Sequence, residues 1–351
     1  MTTFTGTKGP SMPTLGATRR KAVNLSDQGM VTMQLLQPDR SLPLLIQPAV
    51  PGVDLLAWTE RNRDLVEEKV LQHGAVLFRG FDVGELPDFE RFISIISGGA
   101  MEYRYRSSPR TQVAGNIYTS TDYPADQSIF PHNEHAYSPT FPLRIFFFCV
   151  TPSERGGETP IGDCRKILQR IDPEIRERFR EKQVMYVRNF GDGFGLSWPT
   201  VFQTEDRAKV EEYCHQNGLE AEWKDGNRLR TRRVGPAIFK HPRTGEELWF
   251  NHAAFYHWTT LEPTAREQLR AVFGEEDMPN NTFYGDGTPI SPEVAQHLRD
   301  AYIDEQVTFP WQKGDLLMMD NMLAIHARNP YVGQRKIVVG MAELCHAQDM
   351  K

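Results

Sequence analysis

Pro131-His132-Asn133-Glu134-His135-Ala136-Tyr137 stands between a loop rich in Ser, Thr, Asp and Pro (119–128) and the apolar run Ile145-Phe146-Phe147-Phe148-Cys149-Val150. An extended backbone sends side chains two residues apart to the same face, so His132 and Glu134 would leave a strand together. An imidazole beside a carboxylate supplies two of the three ligands of a 2-His-1-carboxylate iron site. The same tripeptide also fits a polar strand end with a satisfied histidine. His135 is one position out of phase and is expected to point away. The apolar run that follows reads as core rather than pocket.

Around this stretch the chain has the means to bury a large core. It has 351 residues, of which 39% are hydrophobic and 11% aromatic. A net charge of −6 and no basic block exclude nucleic acid and an anionic membrane surface as expected partners. Cys149, Cys164, Cys214 and Cys345 form no C-x-x-C, which fits a reduced, cytoplasmic setting better than a disulfide framework. No apolar run approaches the roughly 20 residues of a membrane helix, and the N-terminus has no apolar secretory core.

Residues 1–40 carry no sustained period and are expected to be a flexible segment, with order beginning near Pro43. Helical spacing is expected at 55–73, 86–96, 173–181, 205–217, 264–273 and 292–302. Strands are expected at 75–78, 183–190, 247–252, 307–311, 315–320, from 325 onward and at 336–342. Several short strands separated by turn signals point to a β-sandwich or barrel. There is no internal repeat, phosphate-cradling glycine loop or G-x-S-x-G elbow.

A third ligand must come from another histidine. His252 and His257 flank Phe255-Tyr256, His297 falls in a helical segment, and His346 is in the tail. His326 closes two apolar runs broken only by Asp320-Asn321, with Arg328 and Arg335 after it. An arginine one strand from a metal ligand can pair with a bound carboxylate through its planar fork. Taken alone, this region favours the plainer reading, a core histidine beside a surface arginine.

The ordered series His132-x-Glu134, Gly157-Glu158-Thr159-Pro160, Tyr284-Gly285-Asp286-Gly287, Trp311-Gln312-Lys313-Gly314-Asp315, Asp320-Asn321, His326-x-Arg328 and Gly333-Gln334-Arg335-Lys336 resembles the taurine dioxygenase (TauD/TfdA) family. These are Fe(II)- and 2-oxoglutarate-dependent oxygenases. The likeness is greatest to the His-Asn-Glu branch that includes the syringomycin-biosynthesis aspartyl hydroxylase, and it spans about residues 45–345. It implies a mainly β fold with α elements: a double-stranded β-helix (jelly roll, cupin-like) core flanked by helices. Residues 41–351 would form one oxygenase domain with an insertion around 163–309.

The resemblance further implies Fe(II) held by His132, Glu134 and His326. It places Thr159 and Arg335 on the cosubstrate 2-oxoglutarate, with O₂ as oxidant; Arg328 is the rival of Arg335. The family often has a second arginine four residues later for an acidic substrate group, where this chain has Val339. Glu134 argues against a halogenase, in which a small residue makes room for chloride. Hydroxylation of an unactivated C–H bond is expected, with desaturation, cyclisation or epimerisation open to the same centre. The rivals are a zinc hydrolase, for which no H-E-x-x-H arrangement is present, and a non-catalytic jelly-roll binding protein. The expected substrate is an amino acid or related small metabolite of specialised biosynthesis, free or tethered to a carrier protein. Tyr103, Arg104, Arg106, Asn116, Tyr118, Asn251 and His252 are the candidate substrate contacts.

Overall fold

A computed structural model describes residues 29–102, 110–120, 123–191, 193 and 195–350. Its largest sheet has eight strands. In spatial order they are Val31–Leu35, Leu44–Pro48, Ala75–Phe78, Leu316–Asp320, Thr140–Thr151, Lys336–His346, Ile117–Thr119 and Gln112–Ala114. All neighbours are antiparallel except Leu44–Pro48 with Ala75–Phe78. Strand Val31–Leu35 lies inside the segment expected to be flexible. It pairs with Leu44–Pro48 over all five residues, and its alternating burial shows a half-covered edge strand.

The Ile145–Val150 run is continuously apolar because both faces of its strand are covered. Ile145, Phe147 and Cys149 turn to one cluster with Leu317, Met319, Val339 and Met341. Phe146 and Phe148 turn to another, under helices Leu55–Arg61, Arg63–His73 and Leu86–Ser97. Phe148 stacks on Phe89 and Phe146 meets Phe92 edge-on. The 55–73 segment is two helices, not one. Asn62 caps both, and its Nδ2 donates to the Trp58 carbonyl at 2.8 Å, drawing the backbone out of the helix.

The inward face of the large sheet meets a smaller one of three strands, Ile129–His132, Ala324–Arg328 and Ile161–Asp163. Ile161 and Ala324 share the cluster of Phe147 and Met319. Two packed sheets with helices on the outer face make the expected jelly-roll architecture. Between Asp163 and Val307 the chain adds helices and a four-stranded antiparallel sheet, whose core merges with Tyr137, Leu323 and Ile325. The strand expected at 307–311 is reduced to a single bridge, Val307 with Ile161.

Candidate metal centre

Strands Ile129–His132 and Ala324–Arg328 run antiparallel, with His132 directly opposite His326. Their ring centroids are 4.5 Å apart. Glu134 reaches the same point by a route other than the extended one expected. The strand ends at His132, and 134–137 is a turn in which His135 takes φ 58°. That turn is clamped by Asn321, whose Oδ1 accepts from the Glu134 amide and whose Nδ2 donates to the Glu134 carbonyl, each at 2.8 Å. Asn133 Nδ2 donates back to the Asn321 carbonyl at 2.6 Å. Asp320-Asn321 looks in the sequence like a mere break between apolar runs, so this clamp was not legible there. Asn321→Ala should weaken Co(II) binding about 10–100-fold, the usual cost of losing a group that orients a ligand. A titration in which Asn321→Ala matches wild type would remove that role.

One ligand atom from each of His132, Glu134 and His326 lies within 4.8 Å of the others. The donors suit a divalent metal. His132 Nδ1 faces the Phe130 carbonyl at 2.8 Å, which fixes its tautomer with the proton on Nδ1 and leaves Nε2 a lone pair. His326 Nδ1 is buried without a hydrogen-bond partner. Burial holds both imidazoles below their ordinary range, hence neutral, and for His326 the nearby His132 adds to the effect. Burial pushes the Glu134 carboxyl up, but Arg110, His135, His132 and His326 outweigh it and hold the group down at about 2. Neutral imidazoles and an ionised carboxylate are the protonation states a metal requires.

His135 does not point away. It is buried, with Nε2 3.5 Å from Glu134 Oε1, because the turn and not a strand sets its direction. Arg110 was missed altogether. Its Nη2 donates to Glu134 Oε2 at 2.6 Å. Phe147 is the one ring of its triplet that faces the site, 5.2 Å from His326, so it is both core and wall.

A small open cavity is lined by Arg110, Ser120, His132, Thr159, His326, Arg328 and Arg335, among others. Arg335 donates to the Gly157 carbonyl at 2.8 Å, to Ser120 Oγ at 3.0 Å and to Thr159 Oγ1 at 3.5 Å. Burial, aided by Arg328, lowers Arg335 to about 10, still a cation at neutral pH. Trp311 Nε1 donates to Thr159 Oγ1 at 3.1 Å and orients it. Gly157 has φ 73°, and a Cβ there would stand 3.0 Å from Arg335 Cδ and 2.6 Å from Ser153 Oγ, so glycine allows this close approach. Arg328 also lines the cavity and donates to the carbonyls of Tyr123, Pro124 and Gln127.

The expected substrate contacts are scattered. Tyr103, Arg104 and Arg106 lie outside the described residues. Asn116 Nδ2 donates to the Ala100 carbonyl, and Tyr118 is buried in the cluster with Val339, so neither lines the cavity. Asn251 is spent on the Ala237 carbonyl and the Ala253 amide. His252 sits closer, edge-on to the His132 ring at 5.9 Å. Its Nε2 meets the Asn133 carbonyl at 2.7 Å, and burial with the adjacent His132 pushes it down to about 3. Phe255 stacks on His132 at 4.7 Å, so the insertion supplies one wall around the first ligand.

Comparison with known proteins identifies the family. The family model "Taurine catabolism dioxygenase TauD, TfdA family" matches residues 38–341. The chain is 40% identical over 278 residues to the dapdiamide synthesis protein DdaC of Enterobacter agglomerans, covering 79% of this chain and 84% of that one. It is 29% identical over 323 residues to a clavaminate synthase-like protein of Arabidopsis thaliana, covering 88% of this chain and 91% of that protein. The solved structure of PvcB from Pseudomonas aeruginosa superposes with a TM-score of 0.55 at 18% identity, covering 95% of this chain and 96% of that one, a likeness of fold. With its model matched along most of its length and a 40% identical relative, the chain belongs to the TauD/TfdA family of Fe(II)- and 2-oxoglutarate-dependent dioxygenases.

Proposed function

We propose that this protein hydroxylates an unactivated C–H bond of an amino acid or related small metabolite in specialised biosynthesis, with succinate and CO₂ as co-products. The convergence of His132, Glu134 and His326 within 4.8 Å carries the reading. The relative DdaC, named for dapdiamide synthesis, supports the biosynthetic setting. His132, Glu134 and His326 would hold the iron. A facial triad leaves open positions for the cosubstrate and O₂, and the bound iron supplies the oxidising chemistry.

The protein's own contribution is binding and enclosure. Arg335 and Thr159 would take the distal carboxylate of 2-oxoglutarate, since both face the cavity and Trp311 fixes the threonine hydroxyl. Phe147 and Phe255 pack apolar surface against His326 and His132 and so keep water from the ligands. One oxygenase domain over 41–351, its insertion walling the site, and a cytoplasmic setting belong to the same reading. It is supported by a core cluster shared between the insertion and Ile325, and none of the described helices is long and apolar enough to cross a membrane. A carrier-tethered form of the substrate is part of this proposal as well.

Anaerobic addition of Fe(II) and 2-oxoglutarate should produce a weak visible charge-transfer band. Its absence from correctly folded protein would sink the oxygenase reading. Arg335→Ala should weaken 2-oxoglutarate binding by about 30-fold or more, the cost of stripping a buried charge pair of one partner. Metal affinity should hold, and equal loss of both would deny Arg335 its assigned role.

A further inference from the structure

The peptide joining Asn133 to Glu134 lies between two of the metal ligands, and it is gripped from both edges. Its N–H donates to Asn321 Oδ1 at 2.8 Å. Its carbonyl meets His252 Nε2 at 2.7 Å. A carbonyl only accepts, so Nε2 carries the proton of a neutral imidazole and Nδ1 keeps the lone pair. Asn321 sits in the turn after strand Leu316–Asp320 of the large sheet, whereas His252 belongs to the insertion. His252 is itself anchored. Its backbone amide donates at 3.2 Å to the hydroxyl of Tyr186, on strand Val184–Phe190 of the insertion's sheet. Its carbonyl accepts from the Tyr256 amide at 3.0 Å, closing a turn whose Phe255 lies parallel to the His132 ring, at 4.7 Å and 8°. One turn of the insertion therefore touches both the first ligand and the peptide leading to the second.

We infer that His252 is a positioning residue for the metal centre: through the Asn133 carbonyl it fixes the peptide between His132 and Glu134, so that the insertion sets the direction in which Glu134 presents its carboxylate. The inference rests on the reading of His132, Glu134 and His326 as metal ligands. In a planar trans peptide the N–H and C=O point to opposite edges. Bonds to Asn321 and His252 together thus resist a rotation that would swing the Glu134 side chain away from the two histidines, and losing either leaves the plane free to tilt. Packing alone does not account for a histidine at this point. His252 is 2% exposed and boxed by the rings of His132, Tyr137, Phe255 and Tyr256. Its Nδ1 has no hydrogen-bond partner among the described residues, and a buried polar atom left unpaired costs free energy. A phenylalanine would fill the same aromatic box with no ring nitrogen to leave unpaired. What histidine adds is the N–H on the Asn133 carbonyl.

The experiment titrates the full chain with Co(II), whose visible ligand-field bands report the arrangement of the ligands as well as occupancy. His252→Phe, His252→Gln and Tyr186→Phe are run beside wild type, each with a urea midpoint. All should bind one Co(II) per chain at saturation. His252→Phe should weaken affinity about 10-fold or more, as loss of a group that orients a ligand does, and should change the position and intensity of the bands. His252→Gln, whose amide can donate to the same carbonyl, should return both most of the way to wild type. Tyr186→Phe removes only the hydroxyl behind the His252 amide and should shift the bands in the same direction by less; it decides the matter if His252→Phe fails to fold. The inference is overturned if the bands of His252→Phe, or of Tyr186→Phe in its place, match wild type, or if His252→Gln does no better than His252→Phe. Unchanged bands with affinity and urea midpoint falling together would mark His252 as a packing residue. A wild-type chain that binds no Co(II) defeats the metal centre itself, a failure distinct from the others.

Discussion

Replacing His326 with alanine is expected to lower divalent-metal affinity by more than about 100-fold, and with it to remove the Fe(II)–2-oxoglutarate charge-transfer band. Disturbing a group that merely orients a ligand costs 10–100-fold, so losing one ligand of three should exceed that range. The fold should survive. His326 is flanked by Ile325 and Ala327 in a strand paired on both sides, with Ile129–His132 and Ile161–Asp163, and those backbone bonds do not need the imidazole. Two nearby histidines make the control. His135 and His252 are as buried as His326, and each is close to a member of the triad. His252 spends Nε2 on the Asn133 carbonyl, and His135 faces Glu134 Oε1, away from the oxygen nearest His326. Alanine at either should leave one metal bound per chain. Stoichiometry measured on the three variants, with circular dichroism to verify folding, decides the assignment. Metal retained by His326→Ala, or lost equally by all three, would refute it.

The difference between what could and could not be read in advance follows the range of each interaction. The paired histidines were legible because each sits at a strand end bordered by apolar sequence, and register brings such ends together. The preference for Arg335 over Arg328 rested on its opening a strand; both arginines line the cavity, and Arg328 is bonded in addition to loop carbonyls. Glu134 converges with the two histidines, but not by the extended geometry expected, because period-two alternation knows nothing of a turn imposed by Asn321 from 187 residues away. The same blind spot misdirected His135. Arg110 carried no local signal, being one arginine in a polar stretch whose meaning comes from a partner on another strand's end. Asn251 was expected among the substrate contacts, yet its amide is consumed by neighbouring backbone. Val31–Leu35 was hidden because an edge strand with one exposed face has little apolar content.

Asp320→Ala should destabilise the protein by about 3–5 kcal/mol, as removal of one partner from a buried ion pair does. Asp320 and Arg144 are fully buried and directly paired on adjacent strands of the large sheet. Arg144 also reaches Glu67 at 2.7 Å, and His241 from the insertion meets Asp320 at 3.0 Å, so one carboxylate joins helix, sheet and insertion. Its other oxygen accepts from the amides of Met322 and Leu323. Alanine would strand the Arg144 guanidinium in a dry core and release the turn that carries Asn321. Metal binding should therefore weaken along with stability, through the clamp on Glu134. Asp320→Asn keeps much of the shape but not the charge and should fall between wild type and alanine. The pH dependence has a definite sign. Burial alone would raise the Asp320 carboxyl, but Arg144 and His241 outweigh it and hold it below its ordinary value. A carboxyl lowered in the folded state contributes stability that is complete above its unfolded value of about 3.9 and is lost as pH falls below it. Urea midpoints should thus drop in acid for wild type more steeply than for Asp320→Ala, with the two curves parallel between pH 6 and pH 8, a window set by that same unfolded value. Parallel curves down to acid pH would show that Asp320 stabilises the fold by packing and hydrogen bonds rather than by its charge.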